Sequence, residues 1–165
     1  MMLAILNLGL VLNIALYETT AQANAKQILS TTCEVITRDL KLAGLRASPA
    51  FTAISSTSMT YSGDINDGGV PKTMQIYGTY NASTQLWKLY RTVNGGSLML
   101  IGSDLVSIQF TYYDVNGTVT ATAANVISVE ITLTSKFYST AELRGESSAL
   151  SRTTKQVIRV YPLNL

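Results

Sequence analysis

The sequence contains no histidine and a single cysteine, Cys33, among its 165 residues. Without histidine the chain lacks the Ser-His and Cys-His pairs that activate most enzymatic nucleophiles, and it lacks the commonest zinc ligand. One thiol cannot form an internal disulfide. We therefore expect no enzymatic activity, no metal and no cofactor, and a Cys33 side chain buried as a small hydrophobe. A reactive thiol or a bridge between subunits is the alternative.

Charge is also scarce, since charged residues make up 13% of the chain and the net charge is +2. Such a weak positive balance does not gather a polyanion, so no nucleic-acid partner is expected. The carboxylates of the chain are scattered through unrelated predicted elements, and none are paired for acid–base catalysis. These are Asp39, Asp104, Glu130, Glu142 and Glu146.

The first sixteen residues carry no charge, and the first ionisable side chain is Glu18. Three explanations compete: a secretory signal, a transmembrane anchor, or a helix that packs against copies of itself. No basic residue precedes Lys26, which argues against a signal peptide. Sixteen helical residues rise about 24 Å, less than the roughly 30 Å of a bilayer core. The amides of Asn7 and Asn13 would find hydrogen-bonding partners on a neighbouring helix.

Proline is missing before Pro49, and Gly9 and Gly44 are the only glycines before it, which permits one long helix. We predict a helical unit over residues 1–48, apolar over 1–16 and amphipathic over 17–48, with Pro49 as its stop. Its apolar positions recur at steps of three and four: Ala21, Ala25, Ile28, Leu29, Cys33, Ile36, Leu40 and Ala43. A helix reaching Leu45 would be about 68 Å long, whereas the remainder has an expected radius of gyration of about 14 Å. Half of the helix should therefore protrude.

Residues 49–165 alternate β-branched and aromatic residues with turn signals, which is typical of an antiparallel sheet. The predicted fold class is therefore α+β, a long protruding helix packed on a β domain. The predicted strands are 53–61, 73–80, 85–92, 97–101, 105–113, 126–135 and 156–161. Turns are predicted at Asn81-Ala-Ser, Val93-Asn-Gly-Gly and Asp114-Val-Asn-Gly, and an exposed loop over 138–154.

Three smaller patterns have alternative interpretations. The segment Asp64-Ile-Asn-Asp-Gly-Gly does not meet the register of a calcium-binding EF-hand, so we interpret it as a solvated turn. Asn81 and Asn116 begin glycosylation sequons in predicted turns. Glu18 follows the apolar run and would pair with Lys26 or with a cation on another subunit, unless it is simply solvated.

Several segments in this order resemble the type IV pilin superfamily, and within it the minor pilins and the J-type pseudopilins of secretion systems. Met1-Met-Leu-Ala-Ile resembles the block that follows the family's processing glycine and early glutamate. Arg38-Asp-Leu-Lys-Leu-Ala-Gly-Leu resembles the end of the family's long helix. The segments 89–92, 105–117, 126–134 and 156–165 resemble its strands. Because the glycine and the glutamate are missing, we expect the chain to start about five residues inside the family's mature start, which would extend the apolar run to about 21 residues.

The resemblance implies a structural subunit of an extracellular type IV pilus-like filament, resident in the inner membrane before assembly. Its partners would be membrane lipid, the pilus assembly machinery and identical subunits in a helical homopolymer, and related filaments serve attachment, motility or DNA uptake. The residues expected to pack in the membrane or filament core are Met1, Leu3, Ile5, Leu6, Asn7, Gly9, Leu12, Asn13 and Leu16. The alternatives are a minor subunit that primes or caps a filament, and a membrane-tethered ligand-binding β module that uses Tyr77, Tyr80 and Trp87.

Overall fold

The computed structural model describes residues 2–65, 68–138 and 151–163, with side chains of the first helix described at Asn13 and from Ala15 onward. Helix α1 is Met2–Lys41. The strands are β1 Phe51–Ile54, β2 Ser58–Gly63, β3 Lys72–Asn81, β4 Leu86–Val93, β5 Met99–Tyr113, β6 Ser128–Tyr138 and β7 Ser151–Val160. A 3-10 turn, η1, spans Ala123–Asn125 between β5 and β6.

The described strands form one sheet in which each strand pairs antiparallel with the next in the chain, in the order β1 to β7. The sheet curls because the turn between β1 and β2 reaches across to β5. Ser56 O accepts a hydrogen bond from Phe110 N at 2.8 Å, and the Tyr112 hydroxyl donates to Ser55 O at 2.9 Å. A helix followed by an antiparallel sheet confirms the predicted α+β class.

The core lies between α1 and the concave face of this sheet. One stripe of α1 is buried there at the predicted steps of three and four: Ala25, Leu29, Cys33, Ile36 and Leu40. The facing sheet residues are mostly aliphatic, among them Met59, Met74, Ile76, Leu89, Leu105, Ile131 and Leu133. Burial of this apolar area, at about 25 cal/mol per Å², stabilises the attachment of the helix to the sheet.

A close backbone approach fixes α1 against β5. The buried Thr32 hydroxyl donates to Ile101 O at 2.7 Å, and a Cβ at Gly102 would lie 3.0 Å from that hydroxyl oxygen. Any larger residue at position 102 would press on the Thr32 side chain, which would have to shift by a few tenths of an ångström. The contact therefore sets the height and the rotation of α1 over the sheet.

The helix ends at Lys41, earlier than the predicted helical unit over residues 1–48. Gly44 adopts a left-handed φ of 82°, and its N–H donates to Ser62 O at 2.9 Å. This backbone hydrogen bond to β2 replaces a further helical turn. Gly44 therefore ends the helix before the chain reaches Pro49. The Ser48–Pro49 peptide bond is cis.

Two strand predictions were wrong. The predicted strand 53–61 is split into β1 and β2, because the Ser55 hydroxyl accepts hydrogen bonds from the N–H groups of Thr57 and Ser58 and forms a turn. The predicted strands 97–101 and 105–113 are one strand, β5. Asp104 has a positive φ of 56° beside a break in the strand register at Leu105, so the expected loop is a bulge.

Two loop predictions also need correction. Of the predicted loop 138–154, residues 139–150 lie outside the described residues, whereas 151–154 belong to β7. The segment beginning at Asp64 is not a simple solvated turn, because the Asp64 side chain is buried at 2% exposure. Its carboxylate accepts hydrogen bonds from Gly68 N, Gly69 N and Arg46 Nη1 at 3.0, 2.7 and 3.0 Å.

Candidate assembly surfaces

The described beginning of α1 exposes apolar side chains to solvent. Leu16 and Tyr17 are 64% and 66% exposed, and among the helix side chains that the structure describes the first buried one is Ala25. In contrast, the last four turns of α1 are held by the sheet. The helix therefore has one part packed within the domain and, before it, two apolar side chains, Leu16 and Tyr17, that the sheet leaves largely exposed.

The residues predicted to form the packing core lie between Met1 and Leu16, and the structure describes the side chains of few of them. The side chains of Met1, Leu3, Ile5, Leu6 and the others up to Leu12 lie outside the described residues. Asn13 and Leu16 are exposed, which leaves both side chains available for contact with another molecule. In the part of the chain that the structure describes, no helix combines the length and the hydropathy needed to cross a bilayer.

A second exposed apolar surface lies at the start of β5, and sequence analysis did not single it out. Leu98, Met99 and Leu100 are consecutive and are 60%, 50% and 49% exposed. Met99 lies opposite Arg91 and Leu100 lies opposite Tyr90, so the run presents apolar groups on both faces of the sheet. We call these three residues the β5 surface. Three adjacent apolar residues after Gly95-Gly96 are the signal that could have revealed it.

A groove of about 550 Å³ separates the β5 surface from α1. It is lined by Asn24, Gln27, Ile28, Thr31, Thr32, Leu100, Ile101, Gly102 and Ser103. Amide and hydroxyl groups lie along its helix side, while leucine and isoleucine side chains form the opposite wall. Such a groove can accept apolar side chains of a neighbouring element and satisfy the polar groups at its rim.

The predicted pairing of Glu18 with Lys26 stays a prediction. The two residues are eight positions apart on α1, which is a rise of about 12 Å, so their Cα atoms lie about two turns apart. Glu18 lines a shallow groove together with Arg152 and Thr153 of β7. A cation of the same chain is therefore available on the side of Glu18 that faces the sheet.

Both predicted glycosylation sites are exposed: Asn116 lies in a turn, as expected, whereas Asn81 is the last residue of β3, beside the turn to β4. The Asn81 side-chain oxygen accepts a hydrogen bond from Ser83 N at 2.9 Å, which shapes the turn between β3 and β4. Asn116 lies in the turn after β5, where its N–H donates to the Asp114 carboxylate at 2.9 Å. Modification itself stays a prediction for both residues.

The aromatic residues considered for ligand binding pack mainly against one another. Tyr77 stacks on Tyr90 across β3 and β4 with ring centroids 5.9 Å apart. Tyr80 contacts Trp87 at 5.2 Å on the other face of the same strand pair. Trp87 in turn packs against the core, beside Gly78. Cross-strand packing therefore explains why these aromatic side chains occur on β3 and β4.

Carboxylates and the thiol are likewise occupied by structural contacts. Asp39 is bonded to Arg91, and Glu130 lies opposite Arg159 in the strand register. Glu142 and Glu146 lie outside the described residues. Among the described residues, no cluster of three metal-ligating side chains occurs.

Cys33 is buried, as predicted. Its burial, with a smaller contribution from the charge of Glu34, raises the pKa of the thiol to about 11. The protonated thiol therefore persists in the folded chain at neutral pH, which favours a packing role for Cys33.

In comparisons with known proteins, the chain matches no protein-family model, and no curated protein is significantly similar to it.

Proposed function

We propose that this protein is a structural subunit of an extracellular, type IV pilus-like filament. The observation that carries the proposal is the exposure of Leu16 and Tyr17 on a helix whose later turns are firmly packed on the sheet. An apolar helix surface that its own domain does not cover is expected to be covered by another molecule. The long helix on an antiparallel sheet is also the arrangement that the sequence resemblance implies.

In this proposal the apolar start of α1 first lies in the lipid of the inner membrane. On assembly it leaves the lipid and packs with the same segment of neighbouring subunits in the filament core. Close packing and hydrogen bonds between helices, including those of Asn13, replace the contacts with lipid. No catalytic step is needed from the β domain, which forms the outer wall.

The contacts between α1 and the sheet suit a subunit that carries load. The Thr32 hydroxyl bonds β5, and the Asp39 carboxylate bonds Arg91 of β4, so the packed part of α1 is linked to two strands. Force on the helix would be distributed to the sheet through these polar contacts as well as through the apolar core. The β5 surface and its groove would lie against the next subunit.

The proposal is tested by changing the uncovered helix surface and observing the assembly of the full-length protein. The double variant Leu16→Lys/Tyr17→Lys places two charges on the proposed packing surface. We expect fibres of the unchanged protein in negative-stain images and in the pellet after ultracentrifugation, and loss of most fibres in the variant, because buried charges are costly.

Val115→Lys is the matched control, since Val115 is an exposed apolar residue in the turn after β5. It should assemble as the unchanged protein does. Full-length protein that stays monomeric in the absence of detergent would contradict the proposal. So would fibres that form equally well from the Leu16/Tyr17 variant.

A minor, priming subunit differs from the bulk subunit in abundance. Quantitative mass spectrometry of fibres sheared from cells distinguishes them. The bulk subunit would account for most of the fibre mass, whereas a priming or capping subunit would be a trace component. A tethered ligand-binding module would be absent from the fibres.

A further inference from the structure

The two edges of the sheet differ. The first edge, β1, is four residues long, and the segment containing η1 packs against it. The other edge, β7, is ten residues long, and among the described residues its only strand partner is β6. An edge strand presents a row of backbone N–H and C=O groups on its unpaired side. β7 therefore offers about two and a half times the edge length that β1 does.

A groove of about 610 Å³ runs beside β7, between this strand and α1. Its lining residues are Ser30, Cys33, Glu34, Thr37, Arg38, Lys41, Leu42, Gln156, Ile158 and Leu163. Ile158 and Leu163 provide an apolar wall next to the strand edge. A strand added to β7 would direct every second side chain towards this groove, because side chains alternate between the faces of a sheet.

Positive charge dominates along this edge. The exposed β7 residues include Arg152, Lys155 and Arg159. Other basic residues beside the edge or its groove are Lys136, Arg38 and Lys41, and the carboxylates there are Glu18, Glu34 and Glu130. Lys155 and Arg159 lie on the face of the strand away from the groove, with the apolar Val157 between them. The Arg159 side chain leans away from the open edge, because its Nε donates to Ser128 Oγ of β6 at 3.1 Å and its guanidinium lies 3.8 Å over the Tyr113 ring of β5. Lys155 is therefore the cation that this face presents beside the edge.

This charge pattern disfavours a second copy of β7 as the partner. If two β7 strands paired antiparallel with Val157 opposite itself, Lys155 would lie opposite Arg159. If Lys155 lay opposite itself, two ammonium groups would meet. If Lys155 lay opposite Val157 of the other copy, the two Lys155 side chains would be diagonal neighbours about 7 to 8 Å apart. Like charges across strands destabilise each of these pairings.

We propose that the β7 edge binds an extended, acidic segment of another protein, which adds to the sheet as an eighth strand. Apolar side chains of the segment would face Ile158 and Leu163 in the groove. A carboxylate on its other face would meet Lys155. The open backbone edge and the alternating apolar and basic contacts favour a peptide strand over a nucleic acid or a lipid, which would use the charge alone. This inference is independent of the filament proposal.

The test uses the full-length protein and an end-blocked, fluorescent nine-residue peptide of alternating valine and glutamate. Binding is followed by fluorescence anisotropy at low and moderate salt. We expect measurable binding that the Lys155→Glu variant weakens by about tenfold or more, because two like charges replace an ion pair in the added strand. Lys88→Glu is the matched control. Lys88 is an exposed lysine on β4, away from the edge, and its variant should bind as the unchanged protein does.

A second peptide tests the backbone contacts. N-methylation of alternate residues on one edge removes the donors needed for strand addition but keeps the charge and the side chains. We expect this peptide to lose binding, and a valine–lysine peptide to show none. Equal binding of the methylated and unmethylated peptides would overturn the proposal.

Other outcomes also count against it. Displacement of the peptide by duplex DNA or by anionic phosphatidylserine vesicles, with the methylated peptide binding equally well, would identify a general polyanion surface. A dimer that is more stable in the Lys155→Glu variant, and that does not dissociate when the peptide is added, would identify a second copy as the occupant. Absence of peptide binding up to about 1 mM would also refute the proposal. None of these results depends on fibre formation.

Discussion

The carboxylate of Asp39, in the last turn of α1, accepts a hydrogen bond from Nε of Arg91 in β4. The two side chains are 3% and 13% exposed, so the ion pair lies largely within the domain. Arg38 lies on the solvent side of the same carboxylate at 3.6 Å. This pair joins the end of the helix to the centre of the sheet and compensates the positive charge that Arg91 brings towards the core.

Replacing Asp39 with alanine should lower the free energy of unfolding by about 3 to 5 kcal/mol, because it leaves the Arg91 guanidinium buried without its partner. Urea unfolding measured by circular dichroism tests this. Glu34→Ala, at an exposed position of the same helix, is the control and should cost less than about 0.5 kcal/mol. The double variant Asp39→Leu/Arg91→Met should recover most of the loss. A cost below about 1 kcal/mol for Asp39→Ala would contradict this account.

Gly63, at the end of β2, lies against the backbone that follows α1. A Cβ at this position would be 2.1 Å from Leu42 O and 3.0 Å from Leu42 C, and neither atom can move without displacing the main chain. Gly63→Ala should therefore destabilise the fold by about 3 kcal/mol. Gly68→Ala, whose Cβ would meet no atom within 4 Å, should be nearly neutral. Thermal unfolding of the two variants compares them directly, and equal melting temperatures would refute the explanation.

The Cys33 thiol should make stability depend on alkaline pH. Its pKa is raised from 9.0 to about 11 by burial and by Glu34, so the unfolded chain releases the proton before the folded chain does. The contribution is complete below pH 9 and is lost as the pH rises to about 11, with a total on the order of 3 kcal/mol. Unfolding titrations at pH 8 to 11 should show the stability difference between the unchanged protein and Cys33→Ala falling by this amount. A pH-independent difference would contradict the prediction.

Asp64 should hold the loop after β2 in place. Its buried carboxylate accepts bonds from two backbone N–H groups and from Arg46, so Asp64→Ala should cost about 2 to 3 kcal/mol. Hydrogen exchange at the amides of Gly68 and Gly69 should also accelerate. Asp114→Ala is the comparison: that carboxylate bonds two amides of an exposed turn, where water can replace it, so its loss should cost less. A larger loss of stability in Asp114→Ala than in Asp64→Ala would refute this interpretation.

The sequence was sufficient to predict elements in which a periodic pattern continues over many residues, and turns that have a characteristic residue pair. Steps of three and four along α1 predicted Leu29, Cys33, Ile36 and Leu40 as its buried stripe, and all four are buried. Asparagine and glycine pairs predicted the turns at Asn94-Gly95 and Asn116-Gly117, where both glycines have positive φ. These signals are local, so no knowledge of the rest of the fold was needed.

The sequence was insufficient to predict features that depend on contacts between residues far apart in the chain, or on a choice between two local conformations. The break between β1 and β2 depends on Ser55, whose hydroxyl can form a turn or face solvent in a continuous strand. The partner of Asp39 is 52 residues away, and no spacing rule connects it to Arg91. Nothing in the sequence near Asp64 shows that its carboxylate is buried, because its burial depends on Arg46 and on two backbone amides that only the fold brings to it. The β5 surface was equally hidden, because exposure of Leu98 to Leu100 depends on how the sheet curls.

The bond from Thr32 to Ile101 also has a rotational consequence for the distant end of α1. Each residue turns an α-helix by about 100°, so Leu16, sixteen positions before Thr32, points about 160° away from the direction of that hydroxyl. Tyr17 points only about 60° away from it. The azimuth of α1 thus aims Leu16 outward, so that a molecule meeting Leu16 must approach from the back of the helix, whereas Tyr17 is 66% exposed although it points nearer to the domain.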